Sequence, residues 1–276
     1  MHILHKKTAP LRARGFLLDV EGVLVADKRY LPVEGAATFV ERVRQAGLHL
    51  RLITNNTTDT KRMLIEKLGA AGFDFEPEEL HTCTGAAIRH LHSIGATSCL
   101  VLGVAALREM FVDDGFTVAD SNTVDAVVVG LDTDLTYDRL RLACDAVGRH
   151  GAALIALHRN RLTVDAEGWR APSVGAIVEV IVFATGVEPV VIGKPSPAYF
   201  QQALKELDVP AGSVLVVSDD PLSDLAGAKR MNMHTAFVLS GKYGDESILE
   251  SIPKAERPDI VADSLGALLV DGLVEI

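Results

Sequence analysis

The sequence has few cysteines and no long apolar run, and both absences narrow the class of protein. Its 276 residues include three cysteines, Cys83, Cys99 and Cys144, in apolar or helical contexts without a Cys-x-x-Cys spacing. We therefore expect buried reduced thiols rather than a disulfide framework or a zinc site, and a cytoplasmic location. Since no stretch of about 18 apolar residues occurs, no membrane-spanning helix is expected.

Positive charge is also scarce. The formal net charge is −10, and the 27 basic residues are scattered rather than massed into runs. Neither nucleic acid nor a membrane surface is therefore an expected partner. The G-x-G-x-x-G and Walker patterns are missing as well, which argues against a dinucleotide enzyme and a P-loop ATPase. An anionic substrate would have to be held by local charge or by a metal.

Short β-branched and leucine-rich runs recur along the chain, and each is followed by a longer amphipathic stretch. The expected strands are 16–19, 48–54, 99–103, 126–130, 154–157, 190–193, 214–218 and 235–239. Apolar spacing predicts a helix over 36–46 that ends at Gly47, and Ser196-Pro197 begins another. This alternation predicts an α/β fold with a doubly wound, Rossmann-like parallel sheet.

The middle of the chain differs in composition from its flanks. Residues 82–186 contain no lysine, and they hold three of the expected strands. This stretch is therefore predicted to be an inserted small α/β domain. Residues 1–81 and 187–276 would together form the core.

Asp19 stands at the carboxyl end of the first expected strand and is followed by Val20-Glu21-Gly22. Such a position, on a turn beside glycine, is where α/β proteins place reactive groups. Strands also end in aspartate merely to begin a turn, so Asp19 alone leaves both interpretations open.

Three further polar clusters follow expected strands. Thr54-Asn55-Asn56 would either offer hydrogen-bond donors to an anion or cap the next helix. Lys194 lies in a turn, where an exposed lysine would be ordinary. The adjacent carboxylates of Asp219-Asp220 indicate either solvent exposure or a bound cation. Because parallel strands bring their carboxyl ends to one edge, all four clusters are expected in one crevice.

These clusters, in this order, resemble the four motifs of the haloacid dehalogenase (HAD) superfamily over nearly the whole chain. The motifs are Asp19-Val-Glu-Gly-Val-Leu, Leu52-Ile-Thr-Asn-Asn, Gly193-Lys-Pro-Ser-Pro and Ser218-Asp-Asp. The large insertion after the second motif is similar to the NagD-like branch. Ile192-Gly-Lys-Pro-Ser-Pro and Leu239-Ser-Gly-Lys-Tyr-Gly are similar to its 4-nitrophenylphosphatase-like and phospholysine phosphohistidine inorganic pyrophosphate phosphatase-like members.

The resemblance implies a Mg²⁺-dependent phosphatase that hydrolyses small phosphate monoesters through an aspartyl-phosphate on Asp19. Mg²⁺ would be held by the Asp19 carboxylate, the main-chain carbonyl of Glu21 and Asp219. Thr54, Asn55 and Lys194 would bind the phosphoryl oxygens. Asp220 and Asp224 would orient the metal's waters and Lys194.

Two residues depart from the motifs. Glu21 stands where these phosphatases usually have the aspartate that acts as acid and base, so a slow enzyme is expected. Ser218 stands where glycine is common and would crowd the approach to the metal. These departures keep open a catalytically silent phosphate-ester binder or regulatory protein, and nothing in the sequence demands a phosphomutase.

In this interpretation the insertion is a cap that selects the leaving group. Its candidate substrate residues are His158, Arg159 and Asn160, together with Arg161, Trp169 and Arg170, although a solvated loop explains the same residues. The expected partner is a small phosphorylated metabolite. The resemblance also allows a homodimer, because caps of this type often dimerise.

Overall fold

A computed structural model describes residues 10–26, 29–164 and 169–276. The chain forms two compact units. The first unit comprises Met1–Thr54, Ile65–His81 and Lys194–Ile276, and the second comprises Asn55–Leu64 and Thr82–Gly193. The predicted domain ranges, 1–81 with 187–276 and 82–186, stay a prediction.

Strands and helices alternate over most of the described residues. The strands are β1 Leu11–Arg12, β2 Gly15–Asp19, β3 His49–Thr54, β4 Leu80–Thr82, β5 Ser98–Leu102, β6 Thr117–Val118, β7 Ala126–Val129, β8 Ala153–Ala156, β9 Leu162–Val164, β10 Arg170–Pro172, β11 Val190–Val191, β12 Val214–Ser218, β13 His234–Val238, β14 Ile260–Ala262 and β15 Val274–Glu275. The α-helices are α1 Ala36–Gln45, α2 Lys61–Ala70, α3 Cys83–Ser93, α4 Ala105–Asp113, α5 Tyr137–His150, α6 Val174–Thr185, α7 Pro197–Leu207, α8 Ala226–Arg230 and α9 Ala267–Val270.

The first unit is built on a six-stranded sheet in the order β14-β13-β12-β2-β3-β4. The pairs β14–β13, β13–β12, β12–β2 and β2–β3 are parallel. Val217 lies opposite Leu18, and Asp19 lies opposite Ile53. The residues that follow β2, β3 and β12 therefore come to the same edge of the sheet.

Local sequence explains why these elements begin and end where they do. The central strands β2 and β12 are almost wholly buried, as continuous apolar runs in a parallel sheet should be. Helix α1 buries Ala36, Phe39, Val40 and Val43, which recur at helical spacing. Helix α7 begins at Pro197, where the missing N–H has no helical partner to lose.

The second unit has its own parallel sheet, in the order β11-β8-β7-β5-β6. A separate antiparallel hairpin joins β9 and β10, with Ala171 opposite Thr163. Helices α5 and α6 contribute buried faces to an apolar core that includes Val127, Val147 and Ile181. Segment 55–64 and α3 also belong to this unit.

The predicted α/β class is confirmed, with a parallel, Rossmann-like core and an inserted α/β cap. Every predicted strand is present within about two residues of its expected bounds, which is the usual accuracy of element ends. The sequence patterns missed the shorter strands β1, β4, β6, β14 and β15 and the hairpin β9–β10. Among the described residues, no helix is long and apolar enough to cross a membrane.

Candidate active site

Asp19 ends β2 at the edge of the first unit's sheet, with its side chain 13% exposed. Its Oδ1 accepts a hydrogen bond from the Val20 N–H at 2.8 Å and lies 2.8 Å from the Lys194 Nζ. Burial raises the pKa of Asp19; the Lys194 charge opposes that rise and the Asp219 charge adds to it. The residue is therefore a carboxylate held at a strand tip by a buried ammonium.

Lys194 lies between two carboxylates rather than in solvent. Its Nζ is 2.8 Å from Asp19 Oδ1 and 2.7 Å from Asp224 Oδ2, and the side chain is 3% exposed. Burial alone would lower the pKa of Lys194, but the charges of Asp19 and Asp224 raise it above its usual value. The lysine therefore stays charged, as a phosphate-binding residue must.

The turn after β12 carries three carboxylates, those of Asp219, Asp220 and Asp224. Ser218 is wholly buried, and its hydroxyl donates to Asp224 Oδ2 at 2.8 Å. Asp220 faces another way: its Oδ1 accepts the N–H groups of Leu222 and Ser223 at the start of the π-helical turn Pro221–Leu225. Its Oδ2 lies 2.7 Å from the Lys242 Nζ.

Of the two acidic residues expected to orient Lys194, Asp224 contacts it directly, whereas Asp220 pairs with Lys242. The physical reason is the capping geometry, because Asp220 must turn toward the N–H groups that it caps.

Asp219 is held from three sides. The Lys242 N–H donates to its Oδ2 at 2.6 Å. Gly22 has a φ of +81°, and a Cβ built there would lie 2.2 Å from the same oxygen; a Cβ on Gly241 would lie 2.1 Å from it. Only residues without a side chain can approach this carboxylate so closely. Burial raises the pKa of Asp219 to about 6 and that of Asp224 to about 7.

The segment Ser240–Lys242 is a part of this site that the sequence analysis did not assign. The Ser240 hydroxyl donates to the Gly22 carbonyl at 2.7 Å, and so ties the turn after Asp19 to the turn after β13. In the sequence, the motif Leu239-Ser-Gly-Lys-Tyr-Gly indicated family membership but no role in the site. Its contacts depend on which strand tips are neighbours in space.

Glu21 and Thr54 lie on the two turns nearest Asp19. Glu21 is partly buried, and its main chain forms an isolated β-bridge with Val25. Thr54, which ends β3, is 4% exposed, and its main-chain N–H donates to the Tyr199 hydroxyl at 3.0 Å. The structure thus brings Asp19, Glu21, Thr54, Lys194 and Asp219 to one edge of the first unit.

The remaining candidates belong to the second unit. Asn55 begins it, and His158 is buried, with its Nδ1 accepting the Asn160 N–H at 3.2 Å. Arg159 is exposed and forms an ion pair with Glu179 of α6. The Asn160 carbonyl accepts the N–H of Gly175 at 2.9 Å. Residues 158–160 therefore form a turn braced against the start of α6.

The oxygen groups around Asp19 fit a hard divalent cation. Asp224 is buried and Asp19 and Asp219 are partly buried, and the Lys194 ammonium contacts two of these three carboxylates, so negative charge is in excess when all are ionised. Carboxylate oxygens are what Mg²⁺ prefers. In the described part of the chain, no three His, Cys, Asp or Glu side chains form a metal site by themselves. The predicted donors are two side chains and a carbonyl.

Comparisons with known proteins agree with this geometry. The family model described as haloacid dehalogenase-like hydrolase matches residues 16–117, and the HAD-hydrolase-like model matches residues 191–268. An acid sugar phosphatase of Staphylococcus aureus is 31% identical over 247 residues, which are 89% of this chain and 92% of that protein.

Solved structures are similar over nearly the whole chain. NagD from Escherichia coli has a TM-score of 0.81 at 27% identity, and the match covers 93% of this chain and 98% of that one. A glycerol phosphate phosphatase from Mycobacterium tuberculosis, solved in complex with magnesium, has a TM-score of 0.80 at 26% identity and covers 93% and 76%.

The chain belongs to the haloacid dehalogenase-like hydrolase family. Within that family its similarities lie in the NagD-like branch, as the motifs predict. It is a phosphoric monoester hydrolase, since its relatives in that family are phosphatases.

Proposed function

We propose that this protein is a Mg²⁺-dependent phosphatase that hydrolyses small phosphate monoesters through an aspartyl-phosphate on Asp19. The observation that supports this most directly is the Asp19–Lys194–Asp224 arrangement, in which one buried ammonium contacts both carboxylates within 2.8 Å. The arrangement holds a carboxylate nucleophile beside a fixed positive charge. Such a charge is needed to stabilise the phosphoryl group's negative charge while the nucleophile attacks it.

In the first half-reaction, a carboxylate oxygen of Asp19 attacks phosphorus while the bond to the ester oxygen breaks. Lys194 and Thr54, with Asn55 at the start of the next segment, bind the equatorial oxygens on which transition-state charge is spread. The side chain of Glu21 gives its proton to the departing ester oxygen, and the product alcohol leaves.

In the second half-reaction, Glu21 removes a proton from a water molecule that attacks the aspartyl-phosphate. The phosphorus–oxygen bond to Asp19 breaks, inorganic phosphate leaves and the carboxylate is restored. Glu21 is one methylene longer than the usual aspartate, so its carboxyl is displaced and turnover is slow.

The metal would be held by Asp19, the main-chain carbonyl of Glu21 and Asp219. When bound, it would neutralise phosphoryl charge and offset the repulsion between these carboxylates. The magnesium complex of the mycobacterial relative supports this choice. The surroundings of Asp219 support its proposed role as a metal ligand, because Gly22, Gly241 and the Lys242 N–H restrict the position of its carboxylate.

Substrate choice is assigned to residues 82–186 acting as a cap. His158, Arg159 and Asn160 are the proposed substrate contacts, and their braced turn supports a defined rather than a fluctuating surface. The relatives named for sugar phosphate and glycerol phosphate support a small phosphorylated metabolite as substrate.

Location and assembly are further proposals. A cytoplasmic location is supported by the free thiols of Cys83, Cys99 and Cys144. A homodimer is supported by Val180 and Phe183 of α6, which are 50% and 94% exposed. Light scattering on the purified protein would give the mass; a monomer at all concentrations would exclude the dimer.

Substitution of Asp19 tests the function. The parent is expected to hydrolyse 4-nitrophenyl phosphate with Mg²⁺ and to lose turnover in EDTA, whereas Asp19→Asn should be inactive yet folded. The parent should also incorporate radioactive phosphate that is labile to hydroxylamine, which an aspartyl-phosphate explains. A parent without metal-dependent turnover that still binds phosphate esters would support the silent binder instead.

A further inference from the structure

We propose that Ser218 is a positioning residue whose hydroxyl fixes the metal ligand Asp219 and the lysine partner Asp224 relative to each other. This proposal rests on the proposed function, since it assigns Ser218 a part in Mg²⁺ binding and in the placement of Lys194. It replaces the expectation that the extra side chain only crowds the site.

The Ser218 hydroxyl contacts three neighbouring residues. Its Oγ donates to Asp224 Oδ2 at 2.8 Å and accepts the Asp220 N–H at 3.1 Å. It also lies 3.5 Å from Asp19 Oδ2. A hydroxyl has one hydrogen, and the shorter contact with Asp224 takes it, so the contact with Asp19 is secondary.

The first consequence concerns Lys194. Asp224 Oδ2 is the same oxygen that lies 2.7 Å from the Lys194 Nζ. With two donors on one oxygen, the carboxylate cannot rotate without breaking both contacts. The serine therefore sets the position of Asp224, and Asp224 in turn holds Lys194 beside Asp19.

The second consequence concerns Asp219. Because the hydroxyl accepts the N–H two residues later, it closes the turn that carries Asp219 between its ends. On the opposite side, the Lys242 N–H holds Asp219 Oδ2. The turn and the neighbouring segment together restrict the orientation of the Asp219 carboxylate. Ser218 is 0% exposed, so solvent does not compete with its hydroxyl for these contacts.

Two substitutions separate the hydroxyl from the space that it fills. Ser218→Ala removes the hydroxyl and keeps the Cβ, whereas Ser218→Gly removes both. Mg²⁺ binding is measured by calorimetry on each full-length protein without substrate, and kcat and KM are measured with 4-nitrophenyl phosphate. Ser173→Ala, which removes a buried hydroxyl in the second unit, is the control.

Both Ser218 variants are expected to bind Mg²⁺ about tenfold more weakly than the parent and to lose kcat, while Ser173→Ala keeps the parent's values. If only one of the two Ser218 variants folds, its Mg²⁺ affinity decides. Unchanged affinity in Ser218→Ala would assign the residue to space filling, and increased affinity in Ser218→Gly would mean crowding; either result overturns the proposal. A parent without Mg²⁺-dependent turnover would instead refute the phosphatase function itself.

Discussion

The Tyr199 hydroxyl accepts a hydrogen bond from the main-chain N–H of Thr54 at 3.0 Å. The same hydroxyl donates to the His81 carbonyl at 2.7 Å, so one buried side chain of α7 contacts the main chain of both β3 and β4. The His81 ring packs against the tyrosine with ring centroids 4.4 Å apart. Tyr199 thus fixes the backbone on which the proposed phosphate-binding hydroxyl of Thr54 stands.

Tyr199→Phe should therefore affect both stability and substrate binding. Leaving the buried Thr54 N–H and His81 carbonyl without this partner is expected to cost about 1–3 kcal/mol of unfolding free energy. Displacement of Thr54 should raise KM for 4-nitrophenyl phosphate. Thermal unfolding and steady-state kinetics would check both effects, with exposed Tyr137→Phe as the control. Parent-like KM would show that Thr54 does not depend on Tyr199.

Glu21→Asp should make the enzyme faster. The shorter side chain places the carboxyl where the related phosphatases have it, so kcat is expected to rise by up to about 10²-fold. Mg²⁺ affinity should change little, because this residue is proposed to bind the metal through its main-chain carbonyl. Glu21→Gln, which cannot transfer a proton, should lower kcat. If the aspartate variant is no faster, the longer side chain is not the cause of slow turnover.

Gly22→Ala should weaken metal binding much more than a comparable change elsewhere. An alanine Cβ at residue 22 would meet Asp219 Oδ2 at 2.2 Å and would also adopt a φ of +81°. Gly47 offers a matched control, because its φ is +66° and a Cβ there meets nothing within 4 Å. Both alanines should cost about 1–2 kcal/mol in backbone strain. Only Gly22→Ala should also lower Mg²⁺ affinity in calorimetry; equal affinities would contradict the assignment of Asp219.

Stabilisation by Mg²⁺ should depend on pH. Without metal, burial raises the pKa of Asp219 from 3.8 to about 6, so protonation favours the folded state. That contribution is complete below the unfolded pKa and is lost as the pH rises through about 6. Mg²⁺ competes with this proton. At a hundred times its Kd, it should stabilise the protein by about 2.7 kcal/mol near pH 7.5 and by much less near pH 5.

Melting temperatures with and without Mg²⁺ at the two pH values would measure this difference. Asp219→Asn carries no titrating carboxyl and is the control, since it should show little Mg²⁺-induced shift at either pH. An equally large shift for the parent at both pH values would remove Asp219 from the proposed metal ligands.

The sequence predicts this site well where chemistry follows strand order. Asp19 ends β2 and Asp219 follows β12, and these two buried strands are parallel neighbours, so strand pairing alone places both residues at one edge. Lys194 was expected there for the same reason, but the short strand before it, β11, is partly exposed and pairs with β8 in the sheet of the second unit, so strand order does not explain its position. The same argument could not assign Asp220, whose partners are the N–H groups of its own turn and a lysine more than twenty residues later.

Contacts between turns also could not be predicted from the sequence. Ser240 and Lys242 act on Gly22 and Asp219 through one hydroxyl and one main-chain N–H, and neither kind of group is specific to a pattern. The sequence pattern indicates only that Tyr199 lies on the apolar face of α7. Its spacing does not show that its hydroxyl reaches Thr54.

Segment 55–64 belongs to the second unit although it precedes β4 of the first sheet. The chain therefore passes between the units immediately after Thr54 and again at Gly193–Lys194, beside two of the proposed phosphate-binding residues. Transplanting a cap from another phosphatase would thus require exchanging two separate stretches of gene. An exchange of the long insertion alone would combine a foreign cap with the native segment 55–64, whose packing partners in the second unit would be lost.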